Sequence, residues 1–505
     1  MTSSGTATGA GQTRVWGPAI FVVGGLQLLV VLDGTVVALA LPRIREAVGL
    51  TEAGGNWIIT AYVLAFGGLM LPGGRLGDTL GRKRVFVAGV AVFTLSSLLC
   101  GLSWNEASLI TGRALQGIAA AVASPTAMAL IAATYAPGKP RSQAFGIYAA
   151  LTGIGSVLGL TVGGLLADVS WRLVFLVNVP IGTLVVLGAL VYLHESQGHR
   201  VSLDGPGALL VTGGVTAAVF AVNEGPAGWG RLVVVVPALL AVVLLVLFVR
   251  VERRAVAPIL PFSLFRNHSR VSALCSILVM GAIMMSLSVY LAMYLQGILR
   301  YSPTQSGLAS VPFAVGLAAA AALASNLALR VAPRWLVAAG AVIICAGCLF
   351  AAAITTHHPA YFPGIAGSVF VCGFGFGLAF IALTLSVIAG VAVTEIGPIT
   401  ALAQVAQNLG GAAGLVAVGA VVGSHKAALG GPEKIRAGLS DSELYPFAAG
   451  YSWAFAGCAV LAAATAVLVL WMRFSPADVA EGQNAQQAAS SDGVAVPVSD
   501  RPVSA

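Results

Sequence analysis

The sequence predicts an all-α polytopic membrane protein with about fourteen spanning helices, and three observations carry that reading. Of its 505 residues, 58% are hydrophobic and 9% charged, where soluble domains run near 25% charged. A chain so short of polar residues needs lipid to cover it. Its apolar stretches are long enough to cross a bilayer as helices and far too long for strands, the two forms that satisfy every backbone group in lipid. Fourteen such spans use roughly 290 residues, leaving short loops and two polar tails but no room for a sizeable soluble domain.

Residues 1–16 are small and polar and read as a disordered tail. The first apolar stretch, 18–41, is followed by no small-residue cleavage site, so it reads as a span and not as a signal peptide. Further spans are expected near 55–74, 85–103, 107–134, 143–166, 171–193, 205–223 and 232–250. A basic, Pro-containing loop from Arg250 to Arg270 reads as an interfacial connector between two halves, with a lipid-headgroup site as the alternative. The remaining spans fall near 271–296, 305–329, 335–354, 361–390, 398–423 and 450–472, and residues 475–505 read as a second disordered tail.

Charge placement orients the chain. An even number of spans puts both termini on one face. About 17 Lys and Arg lie in the loops of that face, among them Arg82, Lys83, Arg84, Arg253 and Arg254, against about 8 on the other. The positive-inside rule therefore puts both termini in the cytoplasm of a bacterium, with the chain as a multi-pass protein of the inner membrane. It also accounts for the net charge of +8 without nucleic acid. The Ala-, Gly- and Val-rich composition suits a GC-rich bacterium.

The energy source is constrained by what is missing. None of Lys83, Lys139, Lys426 and Lys434 precedes Ser or Thr, so no Walker A loop is present, and active transport has to draw on an ion gradient. One charge crossing about 100 mV is worth roughly 2.3 kcal/mol. A membrane-embedded enzyme would need a catalytic cluster. The sequence offers neither H-E-x-x-H nor a carboxylate pair within a span, and His357 and His358 fall in a short outer loop. The six cysteines lie in apolar stretches, and the pair Cys345 and Cys348 reads as helix packing and not as a metal site. No metal or cofactor is expected, and a monomer is the default.

Asp33 is the one acid deep inside a span. An ionised carboxylate is expensive at that depth, which poises it to exchange a proton; the alternative is a buried structural Asp bonded to a neighbouring helix. Arg113 is the one basic residue well inside a span. It needs an acid such as Asp33 or an aqueous cavity, unless it snorkels to water. In the loop GRLGDTLGRKR, Gly74, Gly77 and Gly81 permit tight turns and Asp78 is placed to cap a helix. Arg82 and Lys83 are candidates to pair across the two halves, or the segment is only a basic loop. Gly155, Gly159 and Gly163, with Gly164 beside them, line one helix face as a packing seam. Gln27, Tyr62, Asn326, Phe374, Phe376, Gln404, Gln407 and Asn408 are candidates to line a cavity, helix packing being the alternative.

With these residues laid out, the chain resembles the major facilitator superfamily in its fourteen-span drug:proton antiporter branch, of EmrB/QacA type. LDGTVVALALP around Asp33 is similar to that branch's first-span motif. GRLGDTLGRKR is similar to motif A, LITGRALQG to motif B with Arg113 in the arginine position, and the fifth span to motif C. WRLVFLVNVPIG and PFSLFR are also typical, and the run from Asn56 to Arg84 looks most like actinobacterial EfpA-type pumps. Leu160 stands where motif C usually has Pro, and Thr79 where motif A has a basic residue.

The resemblance implies a major facilitator fold: a six-helix bundle over 17–195, two extra linking spans within 196–255 and a second six-helix bundle over 256–474. It further implies alternating access, with Asp33 as proton-coupling acid, Arg113 as its electrostatic partner and motif A as a latch. The expected function is proton-coupled efflux of lipophilic or amphipathic drugs, with lipid or lysolipid translocation as the alternative. The expected partners are such small molecules, protons and membrane lipids.

Overall fold

The computed structural model describes residues 16–50, 52–136, 139–195, 204–225, 228, 230–255, 260, 262–327, 330–355, 360–391, 395–429 and 441–474. The two tails, His357 and His358 lie outside them. Helix dominates. The first half contains α1 (Pro18–Val48), α2 (Glu52–Leu80), α3 (Arg82–Gly101), α4 (Glu106–Thr134), α5 (Lys139–Val169), α6 (Trp171–Leu176) and α7 (Asn178–Tyr192). Next come α8 (Gly205–Glu224) and α9 (Leu232–Glu252). The second half contains α10 (His268–Gly297), α11 (Pro303–Ala309), α12 (Val311–Leu327), α13 (Pro333–Ile354), α14 (Ala366–Ile388), α15 (Ile396–Ala428) and α16 (Asp441–Leu468).

Among the described residues, thirteen helical segments are long and apolar enough to cross a membrane. The fifth expected span also forms a helix, the 31-residue α5. Two expected spans are each built from two helices. The chain breaks between α6 and α7 at Val177, and between α11 and α12 at Ser310. Pro180 explains the first break, since it has no N–H to give the carbonyl of Leu176.

Glycine faces set the helix spacing. On α15, a Cβ at Gly410 would stand 1.8 Å from the Leu278 carbonyl oxygen of α10. In return, a Cβ at Gly281 of α10 would stand 2.0 Å from the Gln407 oxygen. The two backbones touch, and that approach fixes where Gln404 and Gln407 point. Gly410→Ala is therefore expected to cost about 3 kcal/mol, the upper range for overpacking a tight interior. Thermal unfolding in detergent checks this. Gly423→Ala, on the same helix with nothing within 4 Å of its Cβ, should leave the midpoint in place.

The halves meet along two seams, α2 against α15 and α5 against α11 and α12. At Gly146 the α5 backbone runs close to the Ala321 carbonyl of α12. The extra helices occupy different places. α8 packs on α2, α9 and α15, with Gly68 of α2 against the Thr216 side chain. α9 packs on α8 and leaves Leu232, Leu239 and Val242 exposed, as a lipid-facing helix should. In the connector, Arg253 lies over the Phe262 ring and Glu252 accepts a hydrogen bond from the Leu260 amide at 2.7 Å.

Candidate functional site

Asp33 and Arg113 meet. Midway along α1, the Asp33 carboxylate is fully buried, and its Oδ2 accepts from Arg113 Nη1 of α4 at 2.5 Å. Its Oδ1 accepts from Gln116 Nε2 at 3.2 Å and from Asn178 Nδ2 at 3.0 Å. Three donors on two other helices thus compensate one buried charge, which an ion pair alone does poorly away from water. The snorkelling alternative for Arg113 is excluded, since the residue is 1% exposed.

Arg113 is anchored independently of the acid. Its Nε donates to the Ile58 carbonyl at 3.1 Å and its Nη1 to Gln116 Oε1 at 2.9 Å. The Tyr62 ring of α2 lies 4.4 Å below the guanidinium carbon, so cation–π attraction adds to the hold. Gln116 is fixed at both ends, because its Nε2 also donates to Ser97 Oγ of α3 at 2.6 Å. Asn178 opens α7 just after the chain break and is fully buried. Its Oδ1 has no hydrogen-bond partner among the described residues, an omission that costs about 1–3 kcal/mol when a polar atom is buried.

The glycine face of α5 packs on α1 beside the acid. A Cβ at Gly155, Gly159 or Gly163 would run into Val31, Thr35 or Val36 respectively, and Gly164 is buried next to them. Arg43 and the Ala167 carbonyl join the far ends of the same two helices.

The motif A segment closes within the first half. Asp78 Oδ1 accepts from Arg82 Nη2 at 2.8 Å and from Nε at 3.0 Å, so its carboxylate holds a guanidinium where a helix cap was expected. Lys83 Nζ donates to the Leu190 carbonyl at 2.8 Å. These contacts of Arg82 and Lys83 lie inside one bundle and do not cross to the other half. Gly81 turns the chain at φ +100°, a conformation that favours glycine. Glu195, which the sequence did not single out, covers this turn. It accepts from the Lys83 amide at 3.2 Å and pairs with Arg84 at 3.5 Å. Gly74 is buried in α2. Across the seam, Glu395 lies within electrostatic reach of Arg75 and Arg270. Burial raises its carboxyl above the usual range, while the two arginines draw it back.

The cavity candidates divide. Gln404 and Gln407 line a pocket with Met128 of α4, Ile277 of α10, and Phe380 and Thr384 of α14. Gln404 donates to Gln407 at 3.2 Å. Asn408 reaches the Met70 sulfur of α2 across the seam, at 3.9 Å. Phe376 is buried and stacks on Phe380, and Phe374 packs on Phe370. Gln27 is half-buried on α1. Asn326 is exposed and donates to the Ala322 carbonyl of its own helix, and it is not among the residues lining the Gln404 pocket or a separate one inside the second half. Cys348 meets Cys372 of α14 at 3.7 Å instead of Cys345.

Comparison with known proteins matches residues 23–415 to the model of the Major Facilitator Superfamily. The chain belongs to the major facilitator superfamily. This facilitator is 42% identical over 471 residues to an uncharacterized MFS-type transporter, EfpA, of Mycobacterium tuberculosis, covering 93% of this chain and 89% of the relative. It is 37% identical over 422 residues to the puromycin resistance protein pur8 of Streptomyces alboniger, covering 83% and 84%. It is also 37% identical over 449 residues to the cephamycin export protein CmcT of Amycolatopsis lactamdurans, covering 88% and 89%. These relatives place it in the drug-efflux branch of a family of transporters, not enzymes. The human organic anion transporter MFSD10 (TETRAN) shares the fold, with a TM-score of 0.59 at 15% identity over 90% of this chain and 99% of that one. The proton:xylose symporter XylE does so with 0.59 at 14% identity over 89% and 94%.

Two residues of the facilitator's polar cluster were within reach of sequence reasoning and were not assigned. Gln116 lies three positions after Arg113, on the same helix face. Asn178 is an amide in the otherwise apolar run VFLVNVPIG.

Proposed function

We propose that this facilitator is a proton-coupled exporter of lipophilic or amphipathic small molecules, working by alternating access from the cytoplasmic side of a bacterial inner membrane. The observation that carries the proposal is the Asp33 carboxylate, fully buried between α1, α4 and α7 and bound to a guanidinium that has anchors of its own. A proton on Asp33 neutralises one partner of the pair and frees α1 from α4. Arg113 stays in place, held by Ile58, Gln116 and the Tyr62 ring. The charge pair is thus an element with two arrangements, and a gradient biases it. The α5 glycine face lets α1 move against a smooth neighbour, and motif A holds the α2–α3 turn from one side.

Cargo belongs in the pocket between the halves. Its wall is mostly apolar, with the two amides of Gln404 and Gln407 as adaptable polar contacts. The names of the relatives pur8 and CmcT support an antibiotic as the class of substrate. Lipid is the second reading. A separate pocket inside the second half is lined by Leu287, Leu291, Phe313, Val369 and Phe455. The hydroxyls of Ser368 and Thr355 beside it are spent on their own helices, so its wall suits a hydrocarbon chain.

Transport in proteoliposomes under an imposed pH gradient tests both readings. Movement of a lipophilic cationic dye that collapses with the gradient is the expected result. Movement of labelled lysolipid without dye would replace the exporter with a lipid translocator, and movement of neither would end the proposal.

A further inference from the structure

Two amides hold the Asp33 carboxylate, and they are not equivalent. Gln116 is occupied at both ends, between Ser97 and Asp33 on one side and Arg113 on the other. Asn178 gives its Nδ2 to Asp33, while its Oδ1 is buried with no partner among the described residues. A protonated carboxyl is a donor as well as an acceptor. The acid form of Asp33 needs an acceptor at the oxygen that carries the proton. The Arg113 guanidinium has only donors to offer, and Gln116 Oε1 already accepts from both Arg113 Nη1 and Cys100 Sγ. Among the described residues, Asn178 Oδ1 and the Tyr62 hydroxyl are the buried oxygens of the cluster left without a partner; of the two side chains only Asn178 already bonds Asp33, and its Oδ1 is one half-turn of the amide away from Asp33 Oδ1.

We infer that Asn178 is a positioning residue that serves both protonation states of Asp33. Its Nδ2 faces the carboxylate, and its amide turns over to present Oδ1 when a proton arrives. This rests on Asp33 exchanging a proton, as proposed above. The turn costs little elsewhere, since it breaks no bond other than the one to Asp33. The other ionisable groups within electrostatic reach of Asp33 are Arg113 of α4, Tyr62 of α2 and Cys100 of α3. A phenol and a thiol carry little charge at neutral pH. Among the described residues, α5, α6 and α7 bring no ionisable side chain into contact with the carboxylate. The pair of Asp33 and Arg113 therefore dominates the electrostatics, and Asn178 trims the balance between its two forms.

The experiment is an acid-minus-base infrared difference spectrum of the full-length protein in vesicles of phosphatidylethanolamine and phosphatidylglycerol. It is recorded for wild type, Asp33→Asn and Asn178→Leu, alongside the pH profile of dye transport. In wild type, a carboxylic-acid carbonyl band and a shifted side-chain amide band should rise together on acidification. Asp33→Asn should remove both. Asn178→Leu should remove the amide band, keep the carboxylic-acid band and move the transport midpoint to higher pH by up to about one unit, because the lost bond to the carboxylate is about twice as strong as one to the neutral acid.

A wild-type acid band that depends on Asp33, with an amide region unchanged by Asn178→Leu and an unmoved midpoint, would overturn the inference and leave the coupling role of Asp33 standing. An acid band indifferent to Asp33→Asn would overturn both. Asn178→Ala, read the same way, replaces Asn178→Leu if the larger side chain prevents folding.

Discussion

Asp33→Asn is expected to abolish pH-gradient-driven efflux while the protein still folds. The introduced amide matches the acid in size and resembles its neutral form, so the two-arrangement pair is locked in one arrangement. Arg113 loses a counterion but keeps the Ile58 carbonyl, Gln116 Oε1 and the Tyr62 ring. Gradient-driven dye movement should fall on the order of 100-fold, toward the upper range of coupling between two sites. Cargo binding should survive, since Gln404 and Gln407 lie on α15 and Met128 is about four turns along α4 from Arg113. Dye flux in proteoliposomes, with elution from a sizing column as the folding check, reads both quantities. Wild-type flux from the variant would make Asp33 a structural residue and move proton entry elsewhere.

Arg113→Met should do more damage, in a way that depends on pH. The substitution fills part of the volume and removes the charge, leaving a fully buried carboxylate with two amide donors. Removing one partner of a buried pair costs about 3–5 kcal/mol, because the other charge stays behind. That cost has an exit, since Asp33 can take a proton. A proton there removes the stranded charge, so stability is retained at acid pH and lost as the pH rises. Thermal unfolding at pH 5 and pH 8 should show a far larger deficit at pH 8. Adding Asp33→Asn removes the stranded charge, so the double variant should recover most of the loss, a positive coupling read from the double-mutant cycle. An equal deficit at both pH values, with no recovery in the double variant, would mean that packing and not charge explains the effect.

The fold was legible because membrane helices announce themselves by length. Each expected span has its helix, with ends that differ by as much as nine residues, at Asp441 of α16 against an expected 450. The two broken spans were not foreseen, since hydropathy runs unbroken through Val177 and Ser310 while backbone hydrogen bonding does not. The site was legible where a residue was expensive. Asp33 and Arg113 are the charges a bilayer tolerates least, and that cost singled them out. Amides cost less and give a weaker signal. Gln116 and Asn178 went unassigned for that reason. Glu195 was missed for another reason: it meets Lys83 and Arg84 across more than a hundred residues of sequence, a pairing that no local pattern encodes.

The position of α8 gives the molecule a handedness toward its surroundings. This helix rests on α2 of one bundle and α15 of the other, with α9 behind it, while α5 meets α11 and α12 directly. One flank of the machine is upholstered and the opposite flank is bare. Under the alternating access proposed above, the halves drag or slide a third body along the upholstered side and on the bare side part α5 from α11, α12 and α14. A hydrophobic passenger travelling in the plane of the bilayer meets two different walls, depending on the side from which it approaches.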